Sequence, residues 1–135
     1  MNTATGSPVK LRARYHRNAY YFVFSALQHT QEHLNRTAAH VLREDEAHIT
    51  GRELCEGMRD LALRKFGLMS TIVLRHWGVE STEDIGRIVF ELIERGEMRK
   101  TEHDSPEDFE DLYDFESAFE RDYKFDLSKA FRELG

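Results

Sequence analysis

The 135-residue chain is 40% hydrophobic and 33% charged, a composition typical of a compact protein with one sizeable core. It has no apolar run near the roughly 20 residues of a membrane-spanning helix and no apolar block of a secretory signal, so we expect a cytoplasmic protein. Its single cysteine, Cys55, excludes an intramolecular disulfide and is expected to be a buried thiol.

The two ends of the chain carry opposite charge, although the formal net charge is −6. A stretch without acids contains Lys10, Arg12, Arg14 and Arg17, and we expect residues 1–16 to form a flexible basic arm. Residues 17–135 are predicted to form one domain. Its last part, residues 102–135, holds twelve acidic and four basic side chains. Such ends can attract each other within the fold, between copies, or with different partners.

A long helix is predicted to begin at about Arg17, because apolar residues recur there at three- and four-residue steps. Tyr20, Tyr21 and Phe24 widen its apolar arc. So wide an arc indicates burial on more than one side, and homodimerisation through this helix is a reasonable hypothesis. A polar connection is expected after it, over residues 35–47.

Residues 48–101 organise the chain, because they predict three consecutive helices. Thr50 and Glu53 have the spacing of a capping box, in which each side chain bonds the backbone amide of the other residue. The first of the three helices should therefore begin at about Gly51. Gly67 stands where a left-handed cap would end it.

A shorter second helix up to Trp77 and a strongly amphipathic third helix follow. The hydroxyls of Ser81 and Thr82 can cap the third helix, and Gly96 ends it. The segment from Gly78 to Ser81 that joins the two helices is short. Such a pair resembles a helix-turn-helix with the third helix in the recognition position.

A small β-hairpin is predicted next, and it would complete a winged-helix-like centre over about residues 48–115. Its first strand would cover residues 97–101 and its second the region from Phe109 to Tyr113, where aromatic residues alternate. The pair Ser105–Pro106 also has the pattern of a helix start. One helical turn is therefore expected in the loop between the strands.

Short helices are predicted at the C-terminal end. One covers Glu116 to Arg121, with Phe115 and Phe119 on one side, and another covers Leu127 to Leu134. The expected fold is mainly α: a winged-helix-like three-helix unit with a small β-hairpin, flanked by a long N-terminal helix and these short C-terminal helices.

Between Ile49 and Phe115 the sequence resembles a family of short uncharacterised bacterial proteins. The blocks that carry the resemblance are TGRELCEGMRDLALRKFG, RHWGVESTEDIGRIVFELIERGEMRKTEHDSPEDF and YDFESAF, together with AYYFVFSALQHTQ near the front. They extend over most of the chain. The resemblance implies one intact domain and carries no activity, substrate or catalytic residue with it.

An acidic recognition surface is the favoured functional interpretation. A DNA-reading helix needs basic or amide side chains at its start, where this chain has Glu83 and Asp84. We therefore predict a non-enzymatic protein-interaction module whose partner is a basic protein surface or another copy of the chain. The predicted contact residues lie on the third helix and in the loop after it: Glu83, Arg87, Glu91, Glu94, Asp104, Glu107 and Asp108.

The alternative is a nucleic-acid-associated or transcription-regulatory factor that holds phosphates with basic side chains. The residues that would do so are Lys10, Arg12, Arg14, Arg17, Arg99 and Lys100. A steep loss of binding with salt would be its signature. A solvated tail is the simpler interpretation of the arm.

A metal-dependent protein or enzyme is the least favoured interpretation. His29 and His33 stand four residues apart, which places two imidazoles on one helix face and suits a transition metal. Exposed histidines on a polar face explain the same spacing. The glycines are too widely spaced for a phosphate-binding loop, and Trp77 is expected in the core rather than in a ligand pocket. The sequence therefore predicts no cofactor.

Overall fold

The computed structural model describes residues 15–37, 48–99 and 105–121, and these ranges are mainly helical, as predicted. The α-helices are α1 (Arg17–His33), α2 (Gly51–Phe66), α3 (Ser70–His76) and α4 (Thr82–Glu94). Two 3₁₀ helices cover Gly67–Met69 and Pro106–Phe109, and a π-helix covers Glu116–Arg121. No helix in the described ranges is long and apolar enough to cross a membrane.

The local signals in the sequence place several helix ends correctly. Thr50 and Glu53 form the predicted capping box at the start of α2. Gly67, Gly78 and Gly96 all have positive φ angles, the backbone conformation that favours glycine, at the ends of their helices.

The N-terminal cap of α4 differs from the prediction. Ser81 makes no side-chain capping hydrogen bond. The Thr82 hydroxyl donates instead to the carbonyl of Phe109, at 2.7 Å. The Asp84 carboxylate accepts from the Glu80 amide at 2.8 Å, so a carboxylate in the first turn satisfies the backbone just ahead of the helix.

The core lies between α1, α2 and α4, and α1 packs most extensively on α2. At their crossing, a Cβ on Gly57 would lie 1.8 Å from Thr30 Oγ1, so only glycine permits this close approach. Trp77 packs, as predicted, against core residues. Its ring centroid lies 5.8 Å from that of Phe22 and 5.7 Å from that of Phe66.

The predicted β-hairpin is wrong for the described residues, none of which lies in a strand. Residues 97–99 have bends and irregular backbone, and residues 100–101 lie outside the described ranges. The 3₁₀ helix Pro106–Phe109 confirms the helical turn expected in the loop, and residues 110–113 of the predicted second strand form a turn and irregular backbone.

Local capping explains the 3₁₀ helix. The Ser105 hydroxyl accepts from the Glu107 amide at 3.3 Å, and the Asp108 carboxylate accepts from the Ser105 amide at 3.0 Å. Pro106 occupies the first turn, where its missing amide hydrogen costs nothing. A strand would need a partner strand to satisfy the same groups.

The predicted recognition helix α4 is covered on more than one side. It packs mainly against Pro106–Phe109 and α1, and α3 packs more on α2 than on α4. The helix-turn-helix resemblance is therefore limited to the short connection between α3 and α4.

The predicted helix at Glu116 is confirmed as the π-helix Glu116–Arg121. Phe115 and Phe119 are buried, with ring centroids 5.1 Å apart. The predicted helix from Leu127 to Leu134 lies outside the described residues, as does all of the basic arm before Tyr15.

Candidate interaction surface

The segment of the chain that contains Phe109 packs on the first half of α4. The Phe109 ring is buried against Gly86, where an added Cβ would lie 2.8 Å from the ring. It also packs edge-on against Phe90, with centroids 6.2 Å apart. This close approach needs glycine at position 86, and it fixes the segment on the helix.

Hydrogen bonds complete the attachment. The Thr82 hydroxyl donates to the Phe109 carbonyl at 2.7 Å and accepts from the Leu112 amide at 3.2 Å. One Glu83 carboxylate oxygen accepts from the Asp111 amide at 3.1 Å. Side chains at the start of α4 thus pair with the backbone of residues 109–112.

This arrangement gathers carboxylates at one place. We define the acidic surface as half-buried Glu83 with the exposed residues Glu107, Asp108, Glu110 and Asp111. Hydrogen bonding to Ser105 lowers the pKa of Glu107, so its carboxylate remains ionised near neutral pH. The structure therefore brings together three of the predicted contact residues, and adds two that were counted in the sequence only as part of an acidic stretch.

Glu91, which was predicted to lie on the exposed side of α4, is half-buried and paired within the protein. Its carboxylate accepts from the Tyr20 hydroxyl at 2.7 Å and from Arg95 at 2.5 Å. The Arg95 guanidinium also lies 4.9 Å from the centre of the Tyr20 ring. Burial, and then the hydrogen bond to Glu91, raise the pKa of Tyr20. Glu91 therefore joins α4 to α1.

Arg87 takes part in a second hydrogen-bonded contact, between α4 and the chain just before α1. It donates to Asp84 at 2.7 Å, and the Tyr15 hydroxyl donates to the same carboxylate oxygen at 2.6 Å. Hydrogen bonding to Tyr15, and the nearby charge of Asp84, raise the pKa of Arg87. Asp84 is buried, and both of its carboxylate oxygens are hydrogen-bonded, Oδ1 to these two partners and Oδ2 to the Glu80 amide.

The remaining predicted contact residues are Glu94 and Asp104. Glu94 is exposed, but it lies eleven residues after Glu83 on α4, or about 16 Å along the helix. Asp104 lies outside the described residues. Among the basic residues of the nucleic-acid alternative, Arg17 and Arg99 are exposed, and the others lie outside the described ranges: Lys10, Arg12, Arg14 and Lys100.

The two histidines of the metal interpretation lie side by side, with ring centroids 6.3 Å apart. His29 Nε2 lies 2.7 Å from an Asp60 carboxylate oxygen, to which Arg64 also donates at 2.8 Å. Burial opposes ionisation of Asp60, but these two partners outweigh it and lower its pKa. No group of three possible metal ligands occurs within the described ranges.

Cys55 is fully buried in α2, as predicted. Burial raises the pKa of its thiol to about 12, so the thiolate needed for nucleophilic attack is scarce at neutral pH. Its backbone carbonyl accepts from the Tyr113 hydroxyl at 2.6 Å. Cys55 thus packs as a small apolar side chain.

No family model, curated protein or solved structure matches this chain. The resemblance to a bacterial family therefore stays a prediction.

Proposed function

We propose that the protein is a non-enzymatic interaction module that binds a basic protein surface through the acidic surface. The observation that carries this proposal is the attachment of residues 105–112 to α4. It places four exposed carboxylates beside Glu83 on backbone that is hydrogen-bonded and anchored by Phe109.

Such attachment favours binding for an entropic reason. A charged loop that orders only on binding loses conformational freedom at that moment, and this loss weakens the complex. Here the Phe109 ring and the Thr82 hydroxyl have already ordered the backbone that bears the acids. The binding energy of the carboxylates is therefore available for the partner.

The chemistry of the surface selects the partner. Clustered carboxylates attract lysine and arginine, and arginine can bind a carboxylate through two parallel hydrogen bonds. They repel the phosphates of a nucleic acid. The short α3–α4 connection would then correspond to the turn of a winged helix. The acidic segment that begins at Ser105 would take the position of the wing.

Charge reversal with a matched control tests the proposal. Glu107→Lys/Glu110→Lys reverses two exposed charges on the acidic surface, and Glu32→Lys/Glu97→Lys reverses two exposed charges elsewhere. Purified wild type and both variants would be cross-linked in lysate, and the captured proteins identified by mass spectrometry.

We expect basic proteins that are captured by the wild type and by the control to be lost from the Glu107→Lys/Glu110→Lys variant. Circular dichroism would show that all three proteins have the same helix content. If the surface variant kept the same partners as the wild type, the acidic surface would not be the binding site.

A further inference from the structure

A second surface of the molecule is apolar and exposed. Leu68, Met69 and Ile72 are 39%, 52% and 56% exposed, and Ile72 follows Met69 by three residues and Leu68 by four. We define these three residues as the apolar patch. Within the described ranges, the other large exposed apolar residues, Tyr21 and Leu34, stand singly on or beside α1. Contiguous exposed apolar side chains mark interaction sites more often than single ones do.

The backbone beneath the patch is well ordered by its contacts. Gly67 has φ 54° and ψ −129°, a conformation that turns the chain sharply between α2 and α3. The buried Ser70 hydroxyl lies 3.0 Å from the Ala62 carbonyl and 2.7 Å from the Gly67 carbonyl. The patch is therefore presented by a defined turn.

Two exposed basic side chains stand on either side of the patch in the chain. Arg75 follows Ile72 by three residues on α3, and Lys65 stands at the end of α2, just before the turn at Gly67; both are exposed. If the patch of one copy met the same patch of another across a two-fold axis, these like charges would face one another. An acidic surface that binds the patch avoids that repulsion.

We propose that the apolar patch docks onto the acidic surface of a second copy of this chain. Residues 107–111 supply carboxylates that would face the basic side chains beside the patch. The adjacent half-buried Leu112 and Tyr113 supply apolar contacts. Each copy carries both surfaces, so a two-fold dimer makes the same contact twice. This inference names the basic partner surface and rests on the proposed function of the acidic surface.

Analytical ultracentrifugation of the full chain between about 1 and 100 µM tests the dimer, because this range spans the affinities of modest protein complexes. We expect the wild type to dimerise reversibly. Met69→Ser/Ile72→Ser should raise the dimer dissociation constant at least about tenfold, since exposed apolar anchors carry much of such an interface. Tyr21→Ser, at an exposed aromatic on α1, should leave it unchanged.

A charge exchange tests the pairing itself. Glu110→Lys and Arg75→Glu should each weaken self-association, because each places like charges in both contacts of its own dimer. Mixing the two variants should restore association, because one contact is then wild type and the other has both charges exchanged. Native mass spectrometry would count the mixed dimers.

A wild type that remained monomeric over the whole range would overturn the dimer. A dimer lost in Tyr21→Ser and retained in Met69→Ser/Ile72→Ser would overturn the patch and place the interface on α1. In both cases the partner-capture experiment with Glu107→Lys/Glu110→Lys would still decide the proposed function separately.

Discussion

The Thr82 hydroxyl connects α4 to the acidic segment through two hydrogen bonds, with Phe109 and Leu112. Thr82→Val keeps the shape of the side chain and removes both bonds. We expect the free energy of unfolding to fall by about 1–3 kcal/mol, because two backbone groups lose their partner. Urea denaturation would measure this loss.

Thr71 provides the matched control. Its side chain is buried, and its hydroxyl oxygen has no hydrogen-bond partner within the described residues. Replacing an unsatisfied hydroxyl with a methyl group removes a desolvation cost. Thr71→Val should therefore be neutral or stabilising by up to about 1 kcal/mol. Equal losses in the two variants would contradict the assigned role of Thr82.

The charge state of Glu53 links stability to pH. Its carboxylate accepts from Arg36 at 2.7 Å and from the Thr50 amide at 3.0 Å. Burial alone would raise the pKa of Glu53, but these hydrogen bonds outweigh it and lower the pKa below 4.5. A lowered pKa stabilises the fold above the pKa of the unfolded chain, and this stabilisation is lost as pH falls through the lower folded value.

We therefore expect Glu53→Gln to be less stable than the wild type at neutral pH, with the difference shrinking well below pH 4.5. Urea denaturation at a series of pH values would measure it. Glu56→Gln, at an exposed position on the same helix, is the control. A stability difference that stayed constant with pH would contradict the assignment.

At the scale of elements, the approach of α1 to α2 depends on Gly57. In Gly57→Ala the new Cβ would lie 1.8 Å from Thr30 Oγ1 and 3.0 Å from Thr30 Cβ. Overpacking of this kind costs about 1–3 kcal/mol, against about 1 kcal/mol gained from helix propensity. We expect lower thermal stability, measured by calorimetry.

The Thr30→Ala/Gly57→Ala variant should lose less stability than the sum of the losses in the two single variants. Thr30→Ala removes Oγ1, the atom nearest to the new Cβ. Additive effects of the two substitutions would show that the residues do not interact through this contact.

Helix ends could be predicted from the sequence because their signals are local. The Thr50–Glu53 capping box and the positive φ angles of Gly67 and Gly96 involve only neighbouring residues. The prediction of a β-hairpin was wrong because the alternation of Phe109 and Tyr113 resembles that of a strand, whereas both residues contact core helices. The capping pattern at Ser105, also a local signal, correctly predicted the helical turn that follows it.

The candidate site could be predicted only in part. That Glu83, Glu107 and Asp108 share one surface depends on the docking of Phe109 against Gly86, which are 23 positions apart in the chain. The pairing of Glu91 with Tyr20 spans 71 positions. Helical spacing predicts which side chains share a face, but it contains no information on which distant element covers that face.

At the scale of the whole molecule, the nucleic-acid alternative has a direct test. The acidic surface repels phosphates, so we expect little binding of the purified protein to mixed-sequence DNA or RNA at about 50 mM salt. Fluorescence anisotropy would measure binding at that concentration and at about 200 mM, where phosphate contacts weaken strongly.

Tight binding that falls steeply with salt would contradict the proposed function. Substitution of Lys10, Arg12 and Arg14 would then show whether the basic arm is responsible, because the salt dependence should decrease with each basic side chain that no longer neutralises a phosphate.

The buried thiol of Cys55 can report when the core of the native protein opens. Because it is the single cysteine of the chain and is fully buried, a thiol reagent can reach it only when α2 separates from its neighbours. The rate of labelling in native buffer should therefore be far slower than in denaturant. Gly57→Ala should accelerate it, so that core opening could be timed without introducing a second cysteine.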